Sequence, residues 1–284
     1  MKRLLAAIVL SAVIAPAAHA QAPDTLKKIK AAGSITVAFS GDSLPFSYVE
    51  SNNQPAGYSI DLCQRVIAAI GRAVGVPDLK VNWMVDTVPN RIAAVATGKA
   101  DLECANTTAS QTRMKNVDFS NLIFVDGGGF LVRSDSSVNG TSDLAGKSVA
   151  VTSGTTTERR LNAMLRDRLI NAKVVSVKDG VEGVAMLESG AVAAFASDKI
   201  KLIGLAAQAK DPKIFALLSE DLSFEPYAFM LPRNDSAFRL VVNSALTQVY
   251  ISGEIDPIFT KWLGKLGRPS GLLAAMYILN SIPE

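Results

Sequence analysis

Histidine is nearly missing from this chain: one residue in 284, His19. That residue falls in the opening segment, where Lys2 and Arg3 precede the apolar run LLAAIVLSAVIAPAA and an alanine pattern ends at Ala20. Residues 1–20 have the form of a secretory leader cut after Ala20. The apolar run is shorter than the roughly 20 residues a spanning helix needs, and Pro16 interrupts it, so a leader is expected rather than an anchor. The mature chain would then carry no imidazole. That argues against a Ser-His-Asp or Cys-His site and against a zinc centre, while carboxylate and lysine chemistry stay open.

Cysteine is almost as scarce. Cys63 and Cys104 are the whole supply, and in an exported chain a single disulfide between them is favoured over two buried thiols. Excess charge of one sign is lacking too: the formal net charge of +3 falls to about +1 without Lys2 and Arg3, and no long basic run exists, so nucleic acid is not an expected partner. No later run is apolar enough to span a bilayer, and a soluble mature chain is expected. Its length fits one large domain or two of about 130 residues.

What is present is an alternation of strand and helix patterns. GSITVAFSG (33–41) reads as a strand, SIDLCQRVIAAIGRAVG as a helix capped by Ser59, LKVNWMV as a strand, and PNRIAAVATG as a helix with proline in its first turn. The series then restarts with KSVAVTSG, TTTERRLNAMLRDRL, KVVSV, GVAMLES and AVAAFAS. This βαβα order predicts an α/β chain with two lobes, each built on a mostly parallel sheet. After FEPYAFML, which Pro232 ends, a long amphipathic helix and IDPIFTKWLGKL follow. Residues beyond Arg268 show no clear partner face and are expected to form a loosely held tail.

Two segments align without a gap, IAAVATGKADLECAN (92–106) and VAMLESGAVAAFASD (184–198). The match makes Asn106 and Asp198 equivalent, each at the carboxyl end of a parallel strand, where open α/β sheets place ligands. In VTSGTTTE a Ser-Gly turn precedes Thr155 and Glu158 in capping-box spacing, a helix start that serves an anionic oxygen or only caps. No lysine follows in the spacing of a nucleotide loop. Arg113 comes five residues after Thr108; it is a solvated charge or, with the preceding hydroxyls, a carboxylate clamp. Asp198 either caps the helix after it or holds an ammonium group. Together these residues would match both charges of a free α-amino acid.

The chain resembles the periplasmic amino-acid-binding proteins of ABC importers, and among them the glutamate/aspartate-binding proteins. The likeness is carried by LPFSY at Leu44, GYSIDLC at Gly57, NRIAAVATGKADLECANTT at Asn90, VDFSNLIFV at Val117, VAVTSGTT at Val149, LESG at Leu187 and SGEIDPIFTKWL at Ser252. It implies a two-lobed periplasmic binding protein of type II, with two parallel-rich sheets joined by two crossover strands. Lobe 1 would comprise residues 21–126 and 229–284, and lobe 2 residues 127–228. The resemblance assigns Arg113 and Thr108, with Thr155 and Thr156, to the ligand α-carboxylate, and Asp198 with Asn106 to its α-ammonium. Arg91, Ser40 and Phe46 would complete the ligand contacts, and Cys63 and Cys104 would match a bridged pair.

The departures concern the ligand side chain. Acidic-amino-acid binders of this kind carry arginine at the place of Ser40, serine at Val88 and histidine at Gly180, which leaves Arg91 as the expected surviving counter-charge. A neutral or mixed polar ligand therefore fits at least as well as glutamate. The expectation is a periplasmic, monomeric receptor with no cofactor and no metal, handing its amino acid to an inner-membrane permease. The rivals are an enzyme on the same scaffold, a dehydratase of a cyclic carboxylic acid with Glu103 as a weak catalytic candidate, and a sensor that docks on a membrane receptor.

Overall fold

The computed structural model describes residues 24–282; the expected leader, with His19, lies outside the described residues. Helix α1 (Thr25–Ala32) leads into β1 (Ser34–Phe39), the short strands β2 (Asp42–Ser43), β3 (Ser47–Val49) and β4 (Pro55–Ala56), then α2 (Tyr58–Val74), β5 (Lys80–Val85), α3 (Val88–Ala96) and β6 (Leu102–Glu103). The long strand β7 (Val117–Arg133) crosses to a second group: β8 (Ser148–Thr152), α4 (Thr156–Asp167), β9 (Lys173–Val177), α5 (Gly180–Glu188), β10 (Ala194–Asp198), α6 (Lys199–Ala206) and β11 (Phe215–Leu217). Strand β12 (Ser223–Pro232) returns, and α7 (Ser236–Ile251), α8 (Ile255–Leu263) and α9 (Gly271–Leu279) follow.

The halves are not separate sheets. Strand order β5-β1-β6-β12-β7-β10-β8-β9, with β11 on β7, makes one curled sheet among the described residues. The cause is the pair of crossover strands, β7 and β12, which run antiparallel from Val117 opposite Pro232 to Gly128 opposite Ser223. On either side lie parallel triplets, β5-β1-β6 and β10-β8-β9. Thus each half keeps the parallel ladder that its βα repeats predict, and the crossovers stitch the two together. Among the described residues no helix is long and apolar enough to cross a membrane.

Alternation along β8 sorts the second half's core onto two faces: Val149 and Val151 pack with Leu161 and Phe130, while Ala150 packs with Phe195 and Leu187. The first half's core is assembled from distant pieces of chain, from Ile29 of α1 through Leu62 and Val66 of α2 to Phe238, Leu246 and Tyr277. Cys63 and Cys104 are bonded, which pins α2 to the segment that leaves β6.

Two local expectations change. Ser59 does not cap α2; the N-cap is Gly57, and the first amides are served by backbone, Tyr58 N–H donating to Pro45 O and Ser59 N–H to Phe46 O. The chain approaches so closely there that a Cβ on residue 57, at φ +127°, would lie 2.2 Å from Phe46 O, which only glycine avoids. The tail beyond Arg268 is also not loose. It forms α9, whose Leu273, Met276 and Tyr277 are buried at helical spacing, and the Tyr277 hydroxyl meets that of Tyr58 at 2.9 Å.

Candidate ligand-binding cleft

A cavity of about 430 Å³ opens where the two halves face each other. The first half contributes Ser40, Asp42, Arg91, Asn106, Thr108 and Arg113; the second contributes Thr155, Thr156, Thr157, Asp198 and Lys201. Most of these residues stand at strand ends or helix starts, the places where backbone polar groups and short side chains point outward from a parallel sheet.

Arg113 is only 6 % exposed. Its Nη1 donates to Thr108 O at 2.8 Å, and its Nε has no partner among the described residues. Burial, with Arg159 nearby, pulls the guanidinium down to about 10. A buried cation that lines a cavity and keeps an unpartnered donor is suited to an incoming carboxylate.

The threonines behave differently from one another. Thr155 spends its hydroxyl on helix capping, accepting from Glu158 N–H at 3.1 Å and donating to Thr152 O at 2.7 Å. Thr108 and Thr156 both direct their hydroxyls to Glu225 Oε2, a fully buried carboxylate on β12. Each hydroxyl has one proton. With that proton given to Glu225, the two hydroxyls can offer the cavity only oxygen lone pairs, not a donor.

Asp198, at the end of β10, does not cap α6 with its side chain. It accepts from Tyr227 Oη at 2.7 Å, Thr157 Oγ1 at 3.1 Å and Asn106 Nδ2 at 3.3 Å. The last bond joins the two residues that the internal alignment makes equivalent, across the cleft. Tyr227 also touches Asp126 of β7 at 3.1 Å. Burial and the charge of Asp198 raise Asp126 to about 7, and burial and Glu225 raise Asp198 to about 6. Carboxyl groups crowded in this way favour a nearby cation.

Arg91 is turned inward and is 2 % exposed. Its Nε donates to Glu103 at 2.9 Å and its Nη1 to Asp86 O at 2.7 Å, so its charge is already balanced within the protein. Glu103 is fully buried beneath it and does not line the cavity. Phe46 is likewise not on the cavity wall; it packs edge-on against Tyr58, Phe124 and Tyr227. Ser40 does line the wall and donates to Asp42 Oδ1 at 3.0 Å. Arg91 is not the only cation beside Ser40 and Asp42 on the cavity wall, because Lys201 reaches it from α6 and meets Asp42 at 2.9 Å. Its sequence signal, KIKLIGLAAQA, shows a helix but not which face meets the opposite half.

Residues 35–265 match the family model of bacterial extracellular solute-binding proteins, family 3. The chain belongs to that family. Among curated relatives it is 40% identical over 270 residues to the L-glutamate/L-aspartate-binding protein of Pseudomonas aeruginosa, covering 95% of this chain and 89% of that one. It is 36% identical over 258 residues to the glutamate/aspartate import solute-binding protein of Escherichia coli, covering 90% and 85%. Among solved structures a mutant of ArgBP from T. maritima superposes with a TM-score of 0.74 at 28% identity, covering 84% of this chain and 99% of that chain. An ancestral amino acid-binding protein described as a precursor of cyclohexadienyl dehydratase gives 0.69 at 28% identity, covering 84% and 98%. The family is one of extracellular solute-binding proteins, and the solved relatives share the two-lobed fold of type II.

Proposed function

We propose that the cleft captures a free α-amino acid with a polar side chain, and that the closed receptor, a periplasmic monomer freed of its leader, presents it to an inner-membrane permease. One observation carries this reading. A single cavity is lined by a buried guanidinium with an unpartnered donor, Arg113, and by Asp198, which the buried carboxyls of Asp126 and Glu225 adjoin. An α-carboxylate and an α-ammonium would offset those two unbalanced ends together. Relatives named for glutamate and aspartate binding support the ligand class. Clamping from both halves needs only hinge motion at β7 and β12 and no covalent step.

The direct test is a thermal-shift screen of the mature protein against the common amino acids. A ligand at about 100 times its Kd should add roughly 2.7 kcal/mol of stability, because it binds only the folded state. Silence from all of them in folded protein would overturn the proposal.

Acid should weaken capture. The ammonium requires ionised Asp198, which stands at about 6 in the protein alone, so binding releases a proton and affinity falls as pH drops through that value. Calorimetry at about pH 7.5 and about pH 5 should show roughly a tenfold loss. The protein alone should respond in the opposite sense. Raised carboxyls cost stability once ionised, so Asp126 and Asp198 make it less stable as pH rises from about 4 to about 7. An affinity indifferent to pH across this window would remove Asp198 from the ammonium site.

A further inference from the structure

Asp42 and Lys201 lie 159 positions apart, one on the short β2 of the first half and the other in the first turn of α6 in the second. Their side chains, 20% and 10% exposed, meet in the cavity wall at 2.9 Å. The Asp42 carboxylate also accepts from the Gly180 amide at 2.7 Å and from the Ser40 hydroxyl at 3.0 Å. Burial would push this carboxyl up, but Lys201 and the Gly180 amide outweigh it and hold the group well below the usual range. Gly180 leaves room for this approach, since a Cβ there would sit 3.1 Å from Asp42 Oδ2 and 2.5 Å from Leu205. No hydrogen bond links this group to Arg113, Thr108, Thr156 or Asp198. The cavity thus has buried charged groups without an ion-pair partner, Arg113 and Asp198, and beside them a polar pair, Asp42 and Lys201, that is bonded to each other, although the Lys201 charge also acts on Asp198 and lowers it.

We propose that Asp42 and Lys201 form the side-chain selector of the cleft, favouring a carboxamide side chain over the corresponding carboxylate; this rests on the reading of the cleft as an amino-acid site. The ammonium of Lys201 has three donors and spends one on Asp42, so a carboxamide oxygen can accept from another. Asp42 Oδ1 accepts only from the Ser40 and Ser43 hydroxyls, the latter at 3.4 Å, and can take an amide N–H. A ligand carboxylate would compete for the same lysine, bring no donor, and set a second negative charge beside Asp42 where little water screens it. Arg91 does not relieve that repulsion, because Glu103 already balances it. The protein has in effect installed its own carboxylate at the side-chain end of the site.

The test is a set of dissociation constants for glutamine, glutamate, asparagine and aspartate on the native protein and on Asp42→Asn. The native protein should bind at least one carboxamide about tenfold or more tightly than the matching acid. Asp42→Asn removes the fixed negative charge and frees Lys201, so the amide-to-acid ratio should move about tenfold or more toward the acid. The ratio is taken within each variant, which makes it insensitive to any loss of folded protein. A native preference for the acids, an unmoved ratio in Asp42→Asn, or capture of other amino acids with none of these four overturns the selector and leaves the receptor reading standing. Failure of every common amino acid to bind overturns both.

Discussion

Arg113→Ala should raise the dissociation constant for any captured amino acid by a factor of 10² or more, because removing one partner of a buried charge pair costs about 3–5 kcal/mol. The arginine has no carboxylate within salt-bridging distance among the described residues, and its Nε is unpartnered. In the protein alone it therefore bears a desolvation cost that an α-carboxylate would offset. It follows that the substitution should cost binding without costing stability: the melting temperature of the protein alone should hold or rise while ligand heat vanishes in calorimetry. A purely structural arginine would give the reverse, a lower melting temperature with an unaltered dissociation constant. That result would sink its role at the carboxylate.

Cys63→Ser should lower stability by roughly 3–4 kcal/mol, the chain-entropy value for a loop closed across 41 positions. In a chain of this size that is roughly 6–16 °C of melting temperature. Ligand ranking should stay as it is, since neither sulfur lines the cavity. Calorimetric scans of both forms give the shift. An equal loss on reducing the native protein would confirm its origin in the bridge, and a melting temperature unchanged by either treatment would contradict it.

Much of this fold follows from local pattern. The βα alternation, the Thr155 cap and the proline in the first turn of α3 all depend on neighbours a few residues away, and each is found where its spacing puts it. Ser59 misled because hydrogen bonds to the Pro45 and Phe46 carbonyls satisfy the helix start, a contact that Gly57 permits and that helix spacing does not reveal. The tail misled because Leu272, Ile278 and Leu279 surround the buried stripe of α9 with exposed apolar residues and blur its period.

At the site, Asn106 and Asp198 were legible as cavity-lining residues because they end strands in matching positions of two repeats. Asp42, Lys201, Glu225 and Tyr227 were not. Beyond neighbouring serines, their partners lie 29 to 159 positions away, on elements whose facing depends on how the halves meet. Arg91 was legible as a cation near the cavity, but its neutralisation by Glu103 was not, because a two-residue strand gives no alternation from which to judge where Glu103 points.

The core of the first half, which runs from Ile29 to Tyr277, has a consequence for the order of events as the chain is made. The middle of the molecule can close its two small cores from its own contiguous residues, Phe130 to Leu218. The opening residues, Ile29 to Phe124, supply only part of theirs. Ile29, Leu62 and Val66 share one cluster with Phe238, Leu246 and Tyr277, so the core at the beginning of the chain is complete only when nearly the last residues have arrived. Wiring of this kind delays completion of the front core until synthesis is nearly done, which favours passage through a membrane ahead of folding.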